Sequence, residues 1–330
     1  ANPGVTFHVI GEAAAGHGIG RAVGPGEAVR IFTGAPLPEG ARRVIIQEDV
    51  SRDGDWIVLH EEIDSSLYIR EIGADFKAGQ RLDSPLRLSP AHVSLAASMN
   101  VPEVTVARQP KVALLATGDE LVVRGETPGP VQLLASNGLG IAAALELDGA
   151  EARLLPIARD NRDSLITSFS LTRGADLVVV IGGASVGDYD LVGQVTEELG
   201  MERAFYKIAM RPGKPLMAGK LNGVPLVGLP GNPVSSMVCS HIFLRPMIRT
   251  MQGLPKHGMP TRSAPLAAPL DANGPRQHYM RATLTDGTLA AAKRQDSALL
   301  SVLSDANVLI IRPPHDAPRG VGDTVEFVEI

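Results

Sequence analysis

The sequence predicts a central α/β domain with a parallel or mixed sheet, flanked by an N-terminal β-rich domain with a small linker and by a C-terminal β-domain. Short β-like runs fill the first part of the chain, apolar strands alternate with helix-like stretches in the middle, and short β-like runs return at the end. The expected bounds are 1–73 for a barrel-like β-rich domain, 74–108 for part of a linking domain, 109–254 for the α/β domain and 255–330 for the C-terminal β-domain.

The N-terminal β-like runs are VTFHVI, VIIQEDV, WIVLH and SLYIR, separated by Gly, Pro and Asp. This pattern is typical of small antiparallel sheets or a barrel. Ser89 and Pro90 then precede AHVSLAASMN, where Ser89 can cap a short helix and Pro90 can occupy its first position.

The middle of the chain alternates strands and helices. The predicted order is strand KVALLA, helix GIAAALELDG, strand ARLLPI, a helix over Arg162 to Thr172, and strand DLVVVIGG. Continuous apolar strands separated by helices indicate βαβ units and a parallel sheet. Asn232 and Pro233 then predict a capped helix start, followed by a mostly apolar stripe as far as Arg245.

The last part of the chain contains YMRATL, GTLAAA, NVLIIRPP and DTVEFVEI, each bounded by turn residues. These runs predict a small β-domain after the loop GLPKHGMP.

Composition excludes several classes of function. The chain has 330 residues, of which 44% are hydrophobic and 20% charged, and its formal net charge is −5. It therefore has no basic field for nucleic acid, so any anion site must be local. Cys239 is the only cysteine, which excludes an intramolecular disulfide and fits a reducing compartment. The apolar runs predict neither a membrane span nor a signal peptide, and we expect a cytoplasmic protein.

A glycine-rich loop follows strand DLVVVIGG and carries Gly182, Gly183, Ser185, Asp188 and Asp190. In open α/β sheets, ligands bind at the carboxyl ends of strands, and glycine lets backbone N–H groups approach an anion. The run GASVG also matches the G-x-S-x-G pattern of a nucleophile elbow, so a serine hydrolase with Ser185 as nucleophile is an alternative.

Three cations lie within KIAMRPGKP: Lys207, Arg211 and Lys214. Alternation along a strand would place Lys207 and Arg211 on one face, with Lys214 projected nearby by the Pro-Gly turn. This arrangement suits phosphate, although a solvated surface hairpin has the same pattern.

Acidic residues follow the predicted strands as well. Asp119 and Glu120 come after KVALLA, Asp160 after ARLLPI, and Asp190 after DLVVVIGG. Because Mg²⁺ takes oxygen ligands together with substrate phosphates, these acids beside a cationic cluster predict a magnesium-assisted phosphoryl site. Asp160 is equally suited to capping the next helix.

Six segments in order resemble the molybdopterin molybdenumtransferases, the bacterial MoeA-type enzymes related to the E domain of gephyrin. They are IFTGAPLP (Ile31 to Pro38), REIGADFKAG (Arg70 to Gly79), ATGDEL (Ala116 to Leu121), GGASVGDYD (Gly182 to Asp190), MRPGKP (Met210 to Pro215) and GLPGNPVSS (Gly228 to Ser236). The resemblance spans nearly the whole chain. It implies a homodimer with a molybdopterin-binding α/β domain, a barrel-like domain inserted in a small linking domain, and a C-terminal β-domain.

The resemblance also implies a reaction. The substrates would be adenylyl-molybdopterin, received from a molybdopterin adenylyltransferase, and molybdate; AMP would be released with the help of Mg²⁺, and molybdenum would be left on the dithiolene.

Roles follow for residues in the matching motifs. Glu120, Asp160 and Asp190 would hold Mg²⁺ and support cleavage of the phosphoanhydride. Lys207 and Arg211 would hold phosphate, and Pro230 and Pro233 would shape the loop over the site.

Four further positions match the family outside these loops. Thr33 and Asp75 would reach the pocket of the other subunit across the dimer. Arg281 in YMRA and Ser297 in QDSA would help to hold oxyanions.

Several features differ from the family pattern, among them Ala74 in place of the Glu of GED and Arg211 where the family often has Lys. The family's Asp-Gly-Tyr-Ala segment should precede Phe7, and we expect this chain to lack it. Ala135 stands where the family usually has Asp in DSN or DTN. A binding-competent but catalytically impaired paralogue, fragment or scaffold is therefore an alternative to the enzyme.

Overall fold

The computed structural model describes residues 4–183 and 191–330. The chain divides into two compact units, Ala1–Asp83 and Ser84–Ile330, each of which is described by itself.

The first unit contains one four-stranded sheet. Its strands are β1 (Thr6–Ala13), β2 (Glu27–Ile31), β3 (Val50–Asp53) and β4 (Trp56–Leu59), in the order β2–β1–β4–β3. The β1–β2 pair is parallel, while β4 pairs antiparallel with both β1 and β3. Among the described strands, β2 and β3 are the sheet's two edges and do not pair with each other.

Two predicted N-terminal strands are wrong. In VIIQEDV, Gln47–Asp49 forms a short 3₁₀ helix, and the strand begins only at Val50. SLYIR lies outside the strands because Tyr68 has a left-handed φ of 54°, which an extended strand cannot contain. The Asp64 carboxylate holds this local turn, since it accepts hydrogen bonds from the backbone N–H of Ser66 and the hydroxyl of Tyr68.

The second unit contains the predicted α/β domain. Its strands are β5 (Lys111–Ala116), β6 (Leu121–Val122), β7 (Leu133–Leu134), β8 (Glu151–Leu154), β9 (Leu177–Ile181), β10 (Met201–Phe205), β11 (Met210–Arg211), β12 (Met217–Leu221) and β13 (Val224–Leu229). Helix α1 (Pro90–Ser98) precedes this domain in the second unit, and the helices of the domain are α2 (Asn137–Leu147), α3 (Arg162–Ser170), α4 (Leu191–Glu198), α5 (Pro233–Cys239) and α6 (Arg245–Met251).

The six-stranded sheet of this domain is mixed. Its order is β10–β12–β13–β9–β5–β8, with β13, β9, β5 and β8 parallel and with β12 and β10 antiparallel to their neighbours. Helices α2, α5 and α6 pack on one face of the sheet, and α3 and α4 pack on the other. The connections after β5 and β9 therefore leave on opposite faces, which opens a crevice at the carboxyl ends of these two strands.

The helix starts follow the predicted residues with one exception. Ser89 accepts a hydrogen bond from the backbone N–H of His92, and Pro90 is the first residue of α1, as predicted. Helix α5 begins at Pro233, also as predicted, but the side chain of Asn232 does not cap it. That amide instead donates to Ser297 Oγ at 3.3 Å, a contact 65 residues away in sequence.

The C-terminal domain is a second sheet. Its strands are β14 (Thr261–Pro265), β15 (Gln277–Thr285), β16 (Thr288–Ala291), β17 (Val308–Arg312) and β18 (Thr324–Glu329), and α7 (Leu300–Ser304) lies between β16 and β17. The sheet order is β11–β15–β17–β18–β14, with β16 also paired to β15. Since β11 belongs to the segment before β12, the α/β domain contributes one strand to this sheet, and Tyr279, Leu309 and Val328 join the core beneath α5 and α6.

The predicted fold class is confirmed: a central α/β domain with a mixed sheet, and β-rich domains at the N-terminal and C-terminal sides of the sequence. Every helix within residues 4–183 and 191–330 is too short or too polar to cross a membrane.

Candidate active site

A cavity of about 1040 Å³ lies at the carboxyl ends of β5 and β9. Its floor is Ala116 to Gly118 at the end of β5 and Ile181 to Gly183 at the end of β9, which is the crevice that the topology opens. Of the predicted site residues, those lining it are Glu120, Asp160, Gly182, Gly183, Lys207, Lys214, Pro230 and Pro233. This volume is at the upper end of the range for small-molecule sites, about 300–1,000 Å³.

The acidic wall is formed by the segments after β5 and β8. Glu120 and Asp160 both line the cavity. Asp119 fixes Asp160, because the backbone N–H of Asp160 donates to Asp119 Oδ1 at 3.1 Å and the backbone N–H of Asp119 donates to Asp160 Oδ2 at 3.4 Å. Helix α3 is capped by Asn161, whose Oδ1 accepts from the backbone N–H of Ser164 at 2.9 Å, so Asp160 is not the cap.

Glu120 folds back over Gly118. A Cβ atom at Gly118 would lie 2.7 Å from Glu120 Oε1, and the φ of Gly118 is +148°, so only glycine fits beneath this carboxylate. Within residues 4–183 and 191–330, neither Glu120 nor Asp160 forms an ion pair. Both acids therefore face the cavity uncompensated by a protein cation from the described chain.

The predicted Mg²⁺ set is only partly visible. Glu120 and Asp160 are described, whereas Asp190 lies outside the described residues, as do Ser185 and Asp188. Among the described residues there is no group of three or more His, Cys, Asp or Glu side chains arranged for a metal. The hydrolase alternative also depends on Ser185, so it falls outside the described chain too.

The basic wall is formed by Lys207 and Lys214. The backbone N–H of Ile208 donates to the carbonyl of Lys214 at 3.2 Å, which closes the loop between them and brings both lysines to the cavity. Both side chains are exposed, and no carboxylate in the described part of the chain pairs with them. The ammonium group of Lys207 lies over the ring of Tyr206, 5.9 Å from its centroid. Two lysines without a carboxylate partner among the described residues, in one cavity with two such acids, suit an anion site next to a cation site.

Arg211 is separate from these lysines and does not line the cavity. It belongs to β11, where it pairs in register with His278 of β15. Sequence alternation placed Lys207 and Arg211 on one face, but β11 leaves the α/β domain to join the C-terminal sheet. Burial, followed by the nearby charges of Arg211, Arg281, Arg312 and Arg276, lowers the pKa of His278 to about 4, so this histidine is neutral at pH 7.

The loop from Pro230 to Pro233 forms one rim of the cavity. Asn137 at the start of α2 donates through Nδ2 to the carbonyl of Gly231 at 2.8 Å. Ser297 holds the other side, because its carbonyl accepts from the backbone N–H of Val234 at 3.0 Å. The rim is thus fixed between the α/β domain and the C-terminal domain.

Arg281 supports this rim from below. Only 2% of it is exposed, and its guanidinium donates to Gln295 Oε1 and to the carbonyls of Asp296 and Leu299. Those bonds order the loop that carries Ser297 and places Ala298 in the cavity wall. In this structure Arg281 and Ser297 therefore contact other protein groups, and neither lines the cavity.

Thr33 and Asp75 belong to the first unit, where both are exposed. Thr33 follows β2, and Asp75 lies in the loop region between β4 and α1.

Sequence reasoning missed several residues of the cavity wall. Thr117 and Asn137 are polar, whereas Leu133 and Leu134 give the cavity an exposed apolar side, with Ala135 next to them. Thr117 was recognisable as the first polar residue after the apolar strand KVALLA. The position of Asn137 at the cavity involves a hydrogen bond to Gly231, 94 residues away, which a local sequence pattern does not predict.

The fold and the cavity together define a multidomain protein whose central α/β domain has a cavity with a basic and an acidic wall at its strand ends. Known proteins identify the family. Residues 113–250 match the model described as a probable molybdopterin binding domain, residues 2–100 match the MoeA N-terminal region (domains I and II), and residues 263–330 match the MoeA C-terminal region (domain IV).

Relatives and solved structures agree with these matches. A molybdopterin molybdenumtransferase from Nostoc sp. is 34% identical over 94% of this chain and 73% of its own length. Molybdopterin molybdenumtransferase 2 from Mycobacterium tuberculosis is 33% identical over 93% of this chain and 78% of its own. The molybdopterin biosynthesis MoeA protein of Pyrococcus horikoshii superimposes with a TM-score of 0.76 at 29% identity, over 99% of this chain and 81% of that one. The chain belongs to the molybdopterin molybdenumtransferase (MoeA) family.

Proposed function

We propose that this protein inserts molybdenum from molybdate into molybdopterin, using adenylyl-molybdopterin as substrate and releasing AMP. Its relatives bear the name molybdopterin molybdenumtransferase, which favours a transferase over a binding-only role. The observation that carries the proposal is the cavity at the carboxyl ends of β5 and β9, which is lined by Lys207 and Lys214 and by Glu120 and Asp160.

The cavity matches the chemistry of this substrate. Two lysines without a carboxylate partner in the described chain would neutralise phosphate charge, which grows on the leaving oxygen as a phosphoanhydride bond breaks. Leu133 and Leu134 offer an apolar surface to a flat ring system.

A divalent cation fits the acidic wall. Glu120 and Asp160 supply carboxylate oxygens, the donors that Mg²⁺ takes, and substrate phosphates complete such a site. When bound, Mg²⁺ would neutralise charge on the phosphates. The protein's own part is to hold the two carboxylates, with Asp119 fixing the position of Asp160, and Asp190 is proposed as the third ligand.

The remaining roles rest on family membership. We place Ser185, Asp188, Arg211, Arg281 and Ser297 in substrate binding. Thr33 and Asp75 would serve the pocket of a second subunit in a homodimer. A molybdopterin adenylyltransferase would supply the substrate, and the cytoplasm is the proposed location.

The test is AMP release from adenylyl-molybdopterin in the presence of Mg²⁺ and molybdate. We expect release by the wild-type chain, and a loss of roughly tenfold or more with Lys207→Met or Lys214→Met, since hydrogen bonds to charged groups contribute about 1.5–3 kcal/mol. Lys220→Met on β12, an exposed lysine outside the cavity, is the matched control and should keep full activity. Absence of AMP with the wild-type chain would refute the proposal.

A further inference from the structure

Thr117 carries a buried hydroxyl without a partner. It follows β5, only 2% of the residue is exposed, and its Oγ1 has no hydrogen-bond partner among the described residues. Buried polar atoms are nearly always hydrogen-bonded, and an unpaired one destabilises the folded state. Valine has the same shape without the hydroxyl, so packing alone gives no reason for threonine here.

The position of this hydroxyl connects it to the cavity. Thr117 lines the cavity floor, and its backbone is held on both sides, by the N–H of Thr117 donating to Ile181 O at 3.0 Å and by the N–H of Gly118 donating to Ala158 O at 3.1 Å. The side chain is therefore fixed at the carboxyl ends of β5 and β9, where open α/β sheets bind their ligands.

Two glycines cover the hydroxyl. A Cβ atom at Gly183 would lie 2.8 Å from Thr117 Oγ1, and one at Gly182 would lie 3.3 Å from it. Both glycines have positive φ, +92° for Gly182 and +64° for Gly183, and the N–H of Gly182 donates to the carbonyl of Leu229 at 3.1 Å. The N–H of Gly183 has no acceptor in the described part of the chain.

We propose that the Thr117 hydroxyl, together with the Gly183 N–H, donates a hydrogen bond to a phosphate oxygen of the bound ligand. Lys207 and Lys214 line the same cavity and supply the matching charge. The absence of side chains at Gly182 and Gly183 lets their backbone shift and the oxyanion approach. Threonine is thus kept for binding, at the expense of the stability of the free protein.

This inference rests on the proposed function only in taking a ligand that carries phosphate. The phosphate belongs either to the adenylyl group or to molybdopterin itself. AMP and molybdopterin are therefore the two probes, and adenosine, which lacks phosphate, is the control ligand.

The experiment compares Thr117→Val and Thr117→Ser with the wild type in two measurements. Calorimetry gives the affinities for AMP, molybdopterin and adenosine, and thermal unfolding without ligand gives the Tm. For Thr117→Val we expect at least about a tenfold loss of affinity for AMP, for molybdopterin or for both, with unchanged adenosine binding and an unchanged or higher Tm. The probe that loses affinity identifies the phosphate. Thr117→Ser keeps the hydroxyl and should stay within about threefold of the wild type.

Ser240 offers a matched control. Its Oγ is also buried without a partner among the described residues, but it lies in the helical stretch between α5 and α6 and does not line the cavity. Ser240→Ala should leave all three affinities unchanged, which separates the loss of a buried hydroxyl from the loss of a ligand contact.

Unchanged affinity of Thr117→Val for both phosphate ligands would overturn the proposal, and so would an equal loss of affinity for adenosine. A lower Tm of Thr117→Val without ligand would also overturn it, because it would show that the hydroxyl has a partner inside the protein. If the wild-type chain releases no AMP while Thr117→Val still loses phosphate affinity, the proposed reaction fails and the role of Thr117 stands.

Discussion

Replacing Asp148 with alanine should destabilise the α/β domain strongly. Asp148 follows α2, its side chain is 1% exposed, and its carboxylate accepts hydrogen bonds from Arg245 Nε at 2.5 Å and from Arg249 Nη2 at 2.9 Å. Gln252 adds a bond from its amide to the carbonyl of Asp148 at 2.6 Å. This network ties the end of α2 to α6, and the start of α2 carries Asn137, which holds the cavity rim.

The magnitude follows from burial. The side chains of Arg245 and Arg249 are only 15% and 29% exposed, so removing the carboxylate leaves two mostly buried cations without this partner. Breaking a buried pair in this way costs about 3–5 kcal/mol. Because Arg249 can turn partly to water, we expect the lower end, about 3 kcal/mol, which lowers Tm by roughly 6–12 °C for a domain of this size.

Chemical and thermal denaturation followed by circular dichroism measures this effect. The control is Glu329→Ala, which removes an exposed pair with Arg262, with 60% and 65% of the two side chains exposed, and should change stability by at most about 1 kcal/mol. A change below about 1 kcal/mol for Asp148→Ala would refute the reasoning, since it would mean that both arginines are equally well solvated without Asp148.

The pH dependence gives a second check on the same pair. Burial opposes the ionisation of Asp148, but the hydrogen bonds from Arg245 and Arg249 outweigh it and lower its pKa below the ordinary 3.8. A lowered pKa in the folded state means that the stability is fully present above pH 3.8 and is lost as the pH falls through the folded value. The difference between wild type and Asp148→Ala should therefore be constant from pH 7 to 5 and shrink only below pH 3.8.

Two further predictions concern the turn at Pro212 and Gly213. Gly213 has φ +107°, and a Cβ atom there would lie 2.5 Å from Cys239 Sγ, so Gly213→Ala should lower the free energy of unfolding in urea by about 2–3 kcal/mol. The control is Gly174→Ala, where φ is +81° and the space is open, and the expected loss is about 1 kcal/mol. Equal losses for the two variants would contradict the contact with Cys239. Burial raises the pKa of Cys239 to about 12, and the residue is fully buried, so a thiol reagent at pH 8 should label the chain only after unfolding; rapid labelling of the folded chain would show that the turn opens.

The central sheet could be predicted from sequence because its strands are buried on both faces. All five residues of β9 are buried, and such a strand must be apolar throughout, so Leu177–Ile181 stands out against its polar neighbours. The N-terminal strands are short and half exposed, so local hydrogen bonds have more influence on the backbone conformation there. In SLYIR, the hydrogen bond from the hydroxyl of Tyr68 to the carboxylate of Asp64 stabilises a turn, so the β-like residues there do not form a strand.

The site could be predicted as far as strand ends determine it. Glu120 and Asp160 follow parallel strands, and parallel strands end at one edge of the sheet, so their common cavity follows from topology. Asn232 shows the limit of this reasoning. A residue of its type before Pro normally caps a helix, but a serine from another domain competes for its amide, and that competition depends on a tertiary contact.

Two Pro-Gly turns, Pro212-Gly213 and Pro230-Gly231, lie close together in the segment from Met210 to Ser236, and the contacts of this segment explain their spacing. At its start, β11 pairs with β15 of the C-terminal sheet; near its end, the backbone of Val234 donates to Ser297 of the same domain. Between these two anchors the chain runs through β12 and β13 of the α/β sheet. Lys214 follows the first turn, Pro230 belongs to the second, and both line the same cavity. The spacing of the basic wall and the rim is therefore set by the C-terminal domain, which contributes only Ala298 to the lining found in the described chain.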